Sequence, residues 1–225
     1  MLSVLVFDLD GTLVDSRRDI AESANELLAS LDAPPLDHDE VVQMVGEGAR
    51  LLVSRVLAAG HVREDLDAAF ARFSAIYDRR LADHTRPYPG VVAGLDRLAE
   101  QFTLAVLTNK PQHHTDRLLE ALDLRRYFVQ ALGGDTAHGR KPDPAGLTAL
   151  VSAAGAVPDA ALLVGDSWVD AETARRGGTR FCFADYGFGA VPRDGLRPGE
   201  HRIASFDALQ NLLAAGPSPG SKPRV

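Results

Sequence analysis

The chain is 225 residues long and 45% hydrophobic, enough for one globular domain, or one domain with a sizeable insertion, around a buried core. Its formal net charge is -7 with 24% charged residues, a balance that argues against binding a nucleic-acid backbone or an anionic membrane surface. The single cysteine, Cys182, excludes an internal disulfide framework, fits a reducing compartment, and reads as a small buried strand residue.

Leu2–Phe7 is a continuous apolar run, the pattern of a strand covered on both faces. It is too short for a signal peptide and has no basic residues before it. Ile20, Ala24, Leu27, Leu28 and Leu31 then recur at helical spacing, and "DAPPLD" breaks the chain. "DHDEVVQMV" opens a short helix with Asp37 at its N-cap and Glu40 three residues on. Leu51, Leu52 and Val56 mark another helix, and Leu66, Ala69, Phe70, Phe73, Tyr77 and Leu81 a long amphipathic one. No strand is expected between Val14 and Arg86.

After "TRPYPG" the rhythm changes. Helical "VVAGLDRLAEQ", "HHTDRLLEALD", "PAGLTALVSAAG", "WVDAETARRGG" and "FDALQNLLAAG" alternate with the strands "FTLAVLT", "FVQALGG", "ALLVGD" and "TRFCFA". Such alternation predicts a parallel sheet with helices on both faces. The fold class is therefore α/β: a core from residues 1–14 and 87–214, split by an all-helical insertion at 15–86, with a polar Pro/Gly tail at 215–225 expected to be disordered. The longest apolar-leaning window, "ALVSAAGAVPDAALLVG", is interrupted by Gly155, Pro158 and Asp159, short of the ~20 apolar residues a membrane span needs. A soluble, cytoplasmic protein is expected, with monomer and homodimer both open.

Ligands of open α/β sheets bind outside the carboxyl ends of the strands. Asp8 and Asp10 follow the first strand; Thr108, Asn109 and Lys110 follow "LAVL"; Asp166, Ser167 and Asp170 follow "LVG"; Lys141 lies in "GRKPDP" before a helix. Residues i and i+2 of an extended chain point to one side, so Asp8 and Asp10 should face one site, joined by Asp166. Several carboxylates in one cleft repel, and a hard cation such as Mg²⁺ relieves the repulsion. Gly11 lets the chain turn away. Thr108, Asn109 and Lys141 offer donors and a positive charge for an anion, and the whole set suits phosphoryl transfer. His113 and His114 are expected to face water on the first turn of a helix, while Trp168 either lines the site or covers it.

At these residues the sequence resembles the haloacid dehalogenase-like hydrolase superfamily: "DLDGT", "LTN", the lysine of "KPDP" and "GDSWVD" match its four motifs in order, over about Leu2 to Leu213. More narrowly, "DLDGTLVDS", "VGEGARLLV", "YPGV", "TNKP", "GGD" and "ADYGFG" are similar to its phosphoglycolate phosphatase group. The resemblance implies a Rossmann-like core with a helical cap that closes over the site. It implies Asp8 as the nucleophile that forms an aspartyl-phosphate and Asp10 as general acid and base. It implies Mg²⁺ held by Asp8, the backbone carbonyl of Asp10 and Asp166, with Asp170 behind, and Thr108, Asn109 and Lys141 on the phosphoryl oxygens. An acid at position 10 favours phosphatase or mutase chemistry, since dehalogenases of this fold lack it and transport ATPases carry Thr there.

The expected activity is a Mg²⁺-dependent phosphatase of small phosphate monoesters, with 2-phosphoglycolate as substrate. A β-phosphoglucomutase-like mutase, a pyrophosphatase and a binding protein on the same fold are the alternatives. Within the helical insertion, Gly48 and Arg50 of "VGEGAR" are the candidates for substrate contact, Arg50 as a bidentate partner for a carboxylate, with Arg17 and Arg18 as competitors. Glu47 would stand close to an anionic substrate if it points inward.

Overall fold

The structure is a computed structural model that describes residues 1–189 and 195–214. The tail expected to be disordered, 215–225, lies outside the described residues.

The chain opens with β1 (Val4–Phe7), every residue of which is buried. A two-residue strand β2 (Val14–Asp15) leads into four helices: α1 (Arg17–Ala29), α2 (His38–Val42), α3 (Ala49–Ala59) and α4 (Leu66–Arg80). The chain returns through β3 (Arg86–Pro87), antiparallel to β2. From there strands and helices alternate: α5 (Val91–Ala99), β4 (Thr103–Leu107), α6 (Gln112–Ala121), β5 (Gln130–Leu132), α7 (Ala145–Ala153), β6 (Ala161–Gly165), α8 (Trp168–Gly177), β7 (Arg180–Ala184), β8 (His201–Ile203) and α9 (Phe206–Ala214).

The six long-range strands form one parallel sheet in the order β5-β4-β1-β6-β7-β8. The chain builds outward from β1 to β5 and then crosses back to β6, so the strand order reverses beside β1. This reversal opens a crevice at the carboxyl ends of β1, β4 and β6. The apolar run of β1 has a simple cause. Leu5 and Phe7 pack into one core with α5, α6 and α9, while Val4 and Val6 pack into the other with α7 and α8. Both faces are covered, so neither tolerates polar residues. Cys182, on β7, is buried and unpaired, as its strand context requires.

The helical insert has an apolar interior built by Leu27, Leu28, Val53, Val56, Phe73 and Ile76, continuous with the Leu5 and Phe7 layer of the sheet, with α1 packed on α2 and α4. One carboxylate ties its two ends. Asp19, fully buried at the start of α1, accepts from the Thr85 N–H (2.7 Å), the Thr85 hydroxyl (2.6 Å) and the His84 N–H (3.0 Å) where the chain leaves the insert. The β2–β3 ribbon and β8 were not expected. At two or three residues each, they are too short for any hydrophobic period to register.

Candidate active site

Asp8 extends β1, its N–H bonded to the Val164 carbonyl at 2.9 Å, and its side chain enters the crevice. Leu9 turns into the core and Asp10 returns to the crevice, so the two carboxylates share one cavity as the i, i+2 spacing requires. Gly11 makes the turn at φ +86°, and a Cβ there would stand 2.1 Å from Asp166 Oδ2. No other residue fits.

Asp166 comes from the end of β6, one register step from Asp8. Asp166 Oδ2 accepts from the backbone N–H groups of Phe188 (2.9 Å) and Gly189 (2.7 Å), a loop that the sequence reading gave no site role. Lys141 is buried and reaches Asp8 at 2.8 Å and Asp170 at 2.6 Å. Asp170 spends its other oxygen on the Ser167 N–H (3.1 Å) and hydroxyl (2.5 Å), a capping box that starts α8. "GDSWVD" is thus both a helix start and a site wall.

Oxygens of Asp8, Asp166 and Asp170 lie within 4.8 Å of one another, all buried. Burial pushes the Asp8 carboxyl up to about 6; Lys141 pulls against this and Asp170 adds to it. Asp166 is raised well above the usual carboxylate range by burial, then by Asp8 and Asp170, despite its two N–H donors. Burial disfavours the Lys141 charge, but Asp170 and Asp8 reverse the balance and hold its pKa above the usual lysine value. Two crowded carboxylates that lack enough positive charge are what a hard divalent cation satisfies. The donor set therefore fits Mg²⁺. Asp8 and Asp166 face it most directly, because Asp170 has both oxygens engaged.

Thr108 and Asn109 stand at the end of β4, both buried and both lining the cavity. The Asn109 amide donates to Gly46 in the insert and to the Lys141 carbonyl, each at 3.0 Å, so it pins the two loops together. Lys110 is the residue that the sequence placed at the end of β4 without giving it a role. Its Nζ lies 3.0 Å from each oxygen of Asp10 and 2.8 Å from the Tyr77 hydroxyl on α4. Ser16 adds a 2.6 Å bond to Asp10 Oδ1. A lysine just past a strand looks like any solvated charge in sequence; only the fold of the insert over it reveals its burial.

Two expectations are corrected. Arg50 does not face the site. It is exposed and pairs with Asp67, because Leu52, Val53 and Val56 set the buried face of α3 and leave position 50 on the outside. Gly48, by contrast, lines the cavity at φ +100° as the N-cap of α3. Glu47 is held by Arg55 at 2.5 Å and is not among the cavity residues. Arg17 and Arg18 are exposed and paired with Asp15 and Glu22. The second correction is His114, expected in water but only 3% exposed, edge-on to Tyr77 and lining the cavity. His113 is exposed as expected. Trp168 starts α8 and is not among the lining residues.

The cavity holds about 70 Å³ between insert and core. That is room for a handful of waters, which suits a small ester. Its walls beyond the carboxylates are mostly apolar: Ile20, Val45, Leu52, Phe73 and Phe188.

A parallel sheet with buried acids at this crevice, and a helical insert above it, defines a class of hydrolase. Residues 5–184 match the family described as haloacid dehalogenase-like hydrolase, and the chain belongs to it. Among curated proteins it is 42% identical to the phosphoglycolate phosphatase of Rhodospirillum rubrum, over 98% of this chain and 94% of that protein. It is 41% identical to phosphoglycolate phosphatase 1 of Pseudomonas aeruginosa, over 82% and 70%. Among solved structures, a predicted phosphoglycolate phosphatase from Haemophilus somnus superimposes with a TM-score of 0.87 at 28% identity, covering 94% of this chain and 98% of that one. A haloacid dehalogenase-like family hydrolase from Streptococcus pneumoniae, at 18% identity and a TM-score of 0.82, shares the fold. No helix among the described residues is long and apolar enough to cross a membrane.

Proposed function

We propose that the physiological reaction is hydrolysis of 2-phosphoglycolate to glycolate and inorganic phosphate, in the cytoplasm. The chain is a phosphoric monoester hydrolase; the substrate and the route are the proposal. One observation carries it: Asp8, buried and paired with Lys141 at 2.8 Å, shares a small cavity with a second acid two residues on.

In this reading an Asp8 oxygen attacks phosphorus in line with the ester bond, which breaks to leave an aspartyl-phosphate and an alkoxide. Asp10, held from two sides by Lys110 and Ser16, gives the alkoxide its proton. The same carboxylate then takes a proton from water, which attacks phosphorus and frees Asp8 and phosphate. Lys141 orients the Asp8 oxygen and, with Thr108 and backbone N–H groups of the 108–110 turn, meets the phosphoryl oxygens. Mg²⁺, held by Asp8, Asp166 and the Asp10 carbonyl with Asp170 behind, would neutralise phosphoryl charge. The helical insert excludes bulk water and, through Tyr77 and the Gly46–Gly48 turn, meets the leaving group.

The test is phosphate release with and without Mg²⁺ across 2-phosphoglycolate, sugar phosphates, nucleotides and pyrophosphate. The expected profile is Mg²⁺-dependent with kcat/KM highest for 2-phosphoglycolate, and Asp8→Asn folds but does not turn over. A flat or sugar-favouring profile would overturn the substrate, and an active Asp8→Asn protein the route.

A further inference from the structure

The carboxylate of the substrate needs a partner, and Arg50 is not available for it. Apart from the Tyr77 hydroxyl and the backbone of the Gly46–Gly48 turn, the cavity walls are apolar on the insert side, and a carboxylate pressed against them unpaired would be strongly disfavoured. Two lining residues among those described are basic, Lys110 and His114. His114 is neutral at pH 7, its pKa lowered to about 4 by burial and by the nearby Lys110 charge. Lys110 is the ion-pair partner of Asp10 at 3.0 Å and bonds the Tyr77 hydroxyl at 2.8 Å.

We propose that Lys110, on the core rather than the cap, is the residue that selects the substrate by receiving its carboxylate, with the Tyr77 hydroxyl beside it. This inference rests on the phosphoglycolate reading above and deepens it.

Geometry supports it in two ways. First, an ammonium carries three N–H donors. The two Asp10 oxygens are equidistant at 3.0 Å, a geometry that one bifurcated N–H can serve, so with Tyr77 at 2.8 Å a third donor can turn to the cavity that Lys110 lines. Second, the reach is right. The ester oxygen to be protonated must lie ~3 Å from Asp10. Lys110 Nζ is 3.0 Å from the same carboxylate, so it stands within about 6 Å of that ester oxygen. In a two-carbon acid three bonds separate the ester oxygen from each carboxylate oxygen, which places them about 3 Å apart. A hydrogen bond to Lys110 closes the remaining ~3 Å. Longer acids would overshoot, and tails without an anion would leave the Lys110 donor facing an apolar wall. Recognition and acid catalysis would then be neighbours on one ammonium. The cap would contribute through Tyr77 on α4, which bonds Lys110 at 2.8 Å.

The competing role is purely positional, with Lys110 serving Asp10 alone. Kinetics on the purified full chain separate the two, with 2-phosphoglycolate and ethyl phosphate as a pair that share the phosphate and the two-carbon tail but not the carboxylate. Both rates fall when Lys110 is changed, so the readout is their ratio. Wild type should prefer 2-phosphoglycolate. Lys110→Met should cut the ratio of the two kcat/KM values about 30-fold or more, chiefly through KM of the acid. Lys110→Arg should hold it within about threefold of wild type. Lys110→Gln, which keeps a hydrogen bond to Asp10 without the charge, reads the same ratio should Lys110→Met not fold. Parallel losses on both esters, or a preference that survives in Lys110→Met or Lys110→Gln, overturn the inference while sparing the substrate reading. A wild type with no preference overturns the substrate reading itself, and the inference with it.

Discussion

Lys141 holds two carboxylates at once, Asp8 at 2.8 Å and Asp170 at 2.6 Å, and all three side chains are nearly sealed from water. Asp170 is in turn fixed by the capping box of α8, so the start of one helix sets the aim of the lysine and the lysine sets the aim of Asp8.

The chain of contacts predicts different losses at its two ends. Lys141→Met strands two buried acids, and breaking such a pair costs about 3–5 kcal/mol. Thermal melting should show a drop of about 10 °C in a chain this size, together with loss of turnover. Asp170→Asn keeps the shape and most hydrogen bonds but removes the charge that holds Lys141. It should melt closer to wild type yet lose ~10²-fold in kcat with a small change in KM. Equal kcat in Asp170→Asn and wild type would show that Lys141 needs no such support.

His114 should make the protein acid-sensitive. Its pKa is lowered to about 4 in the fold, mainly by burial, against 6.5 for the free side chain. Between those values the unfolded chain binds the proton more readily, so the neutral imidazole stabilises the fold above pH 6.5 and this contribution is lost as pH falls toward 4. The residue is partly screened, so ~1–3 kcal/mol is at stake. Urea unfolding at pH 7 and pH 5 should show a larger decline for wild type than for His114→Gln. Matching declines would assign the acid sensitivity to the carboxylates instead.

How much of this was legible in the sequence follows from what each signal depends on. The sheet and the acids at its mouth were readable because burial on both faces forces long apolar runs, and a polar residue at the end of such a run stands out. Asp8, Asp10 and Asp166 converge for that reason. The role of Lys110, the burial of His114 and the Phe188–Gly189 donors were not readable, because they come from contact with the insert or from a loop 22 residues past Asp166. Arg50 misled in the opposite direction. It lies next to the turn that does reach the cavity, but one residue along a helix is a 100° rotation, and Leu52, Val53 and Val56 claim the inner face.

Arg50→Ala is accordingly expected to be silent. The guanidinium is exposed and its partner Asp67 is an exposed surface carboxylate. Surface pairs of this kind contribute little. The variant should retain wild-type kcat/KM for 2-phosphoglycolate within about twofold and melt at the wild-type temperature. A tenfold rise in KM would return Arg50 to the site.

Metal addition should stabilise the fold, independently of turnover. Asp8 and Asp166 are both raised above the ordinary carboxylate range by burial, so without a cation each resists ionising as pH climbs through its raised pKa. A divalent ion that binds only the folded chain shifts the equilibrium by RT ln(1 + [L]/Kd), about 2.7 kcal/mol at a hundredfold excess over Kd. Melting at pH 7.5 in EDTA and in millimolar Mg²⁺ should therefore differ by several degrees. The difference should shrink toward pH 5, where protons compete with the ion for Asp8 and Asp166. Asp166→Asn should abolish the shift while itself melting at or above the EDTA wild type, since it removes a carboxylate that burial and two neighbouring acids oppose. A full Mg²⁺ shift in Asp166→Asn would place the ion elsewhere than beside Asp8.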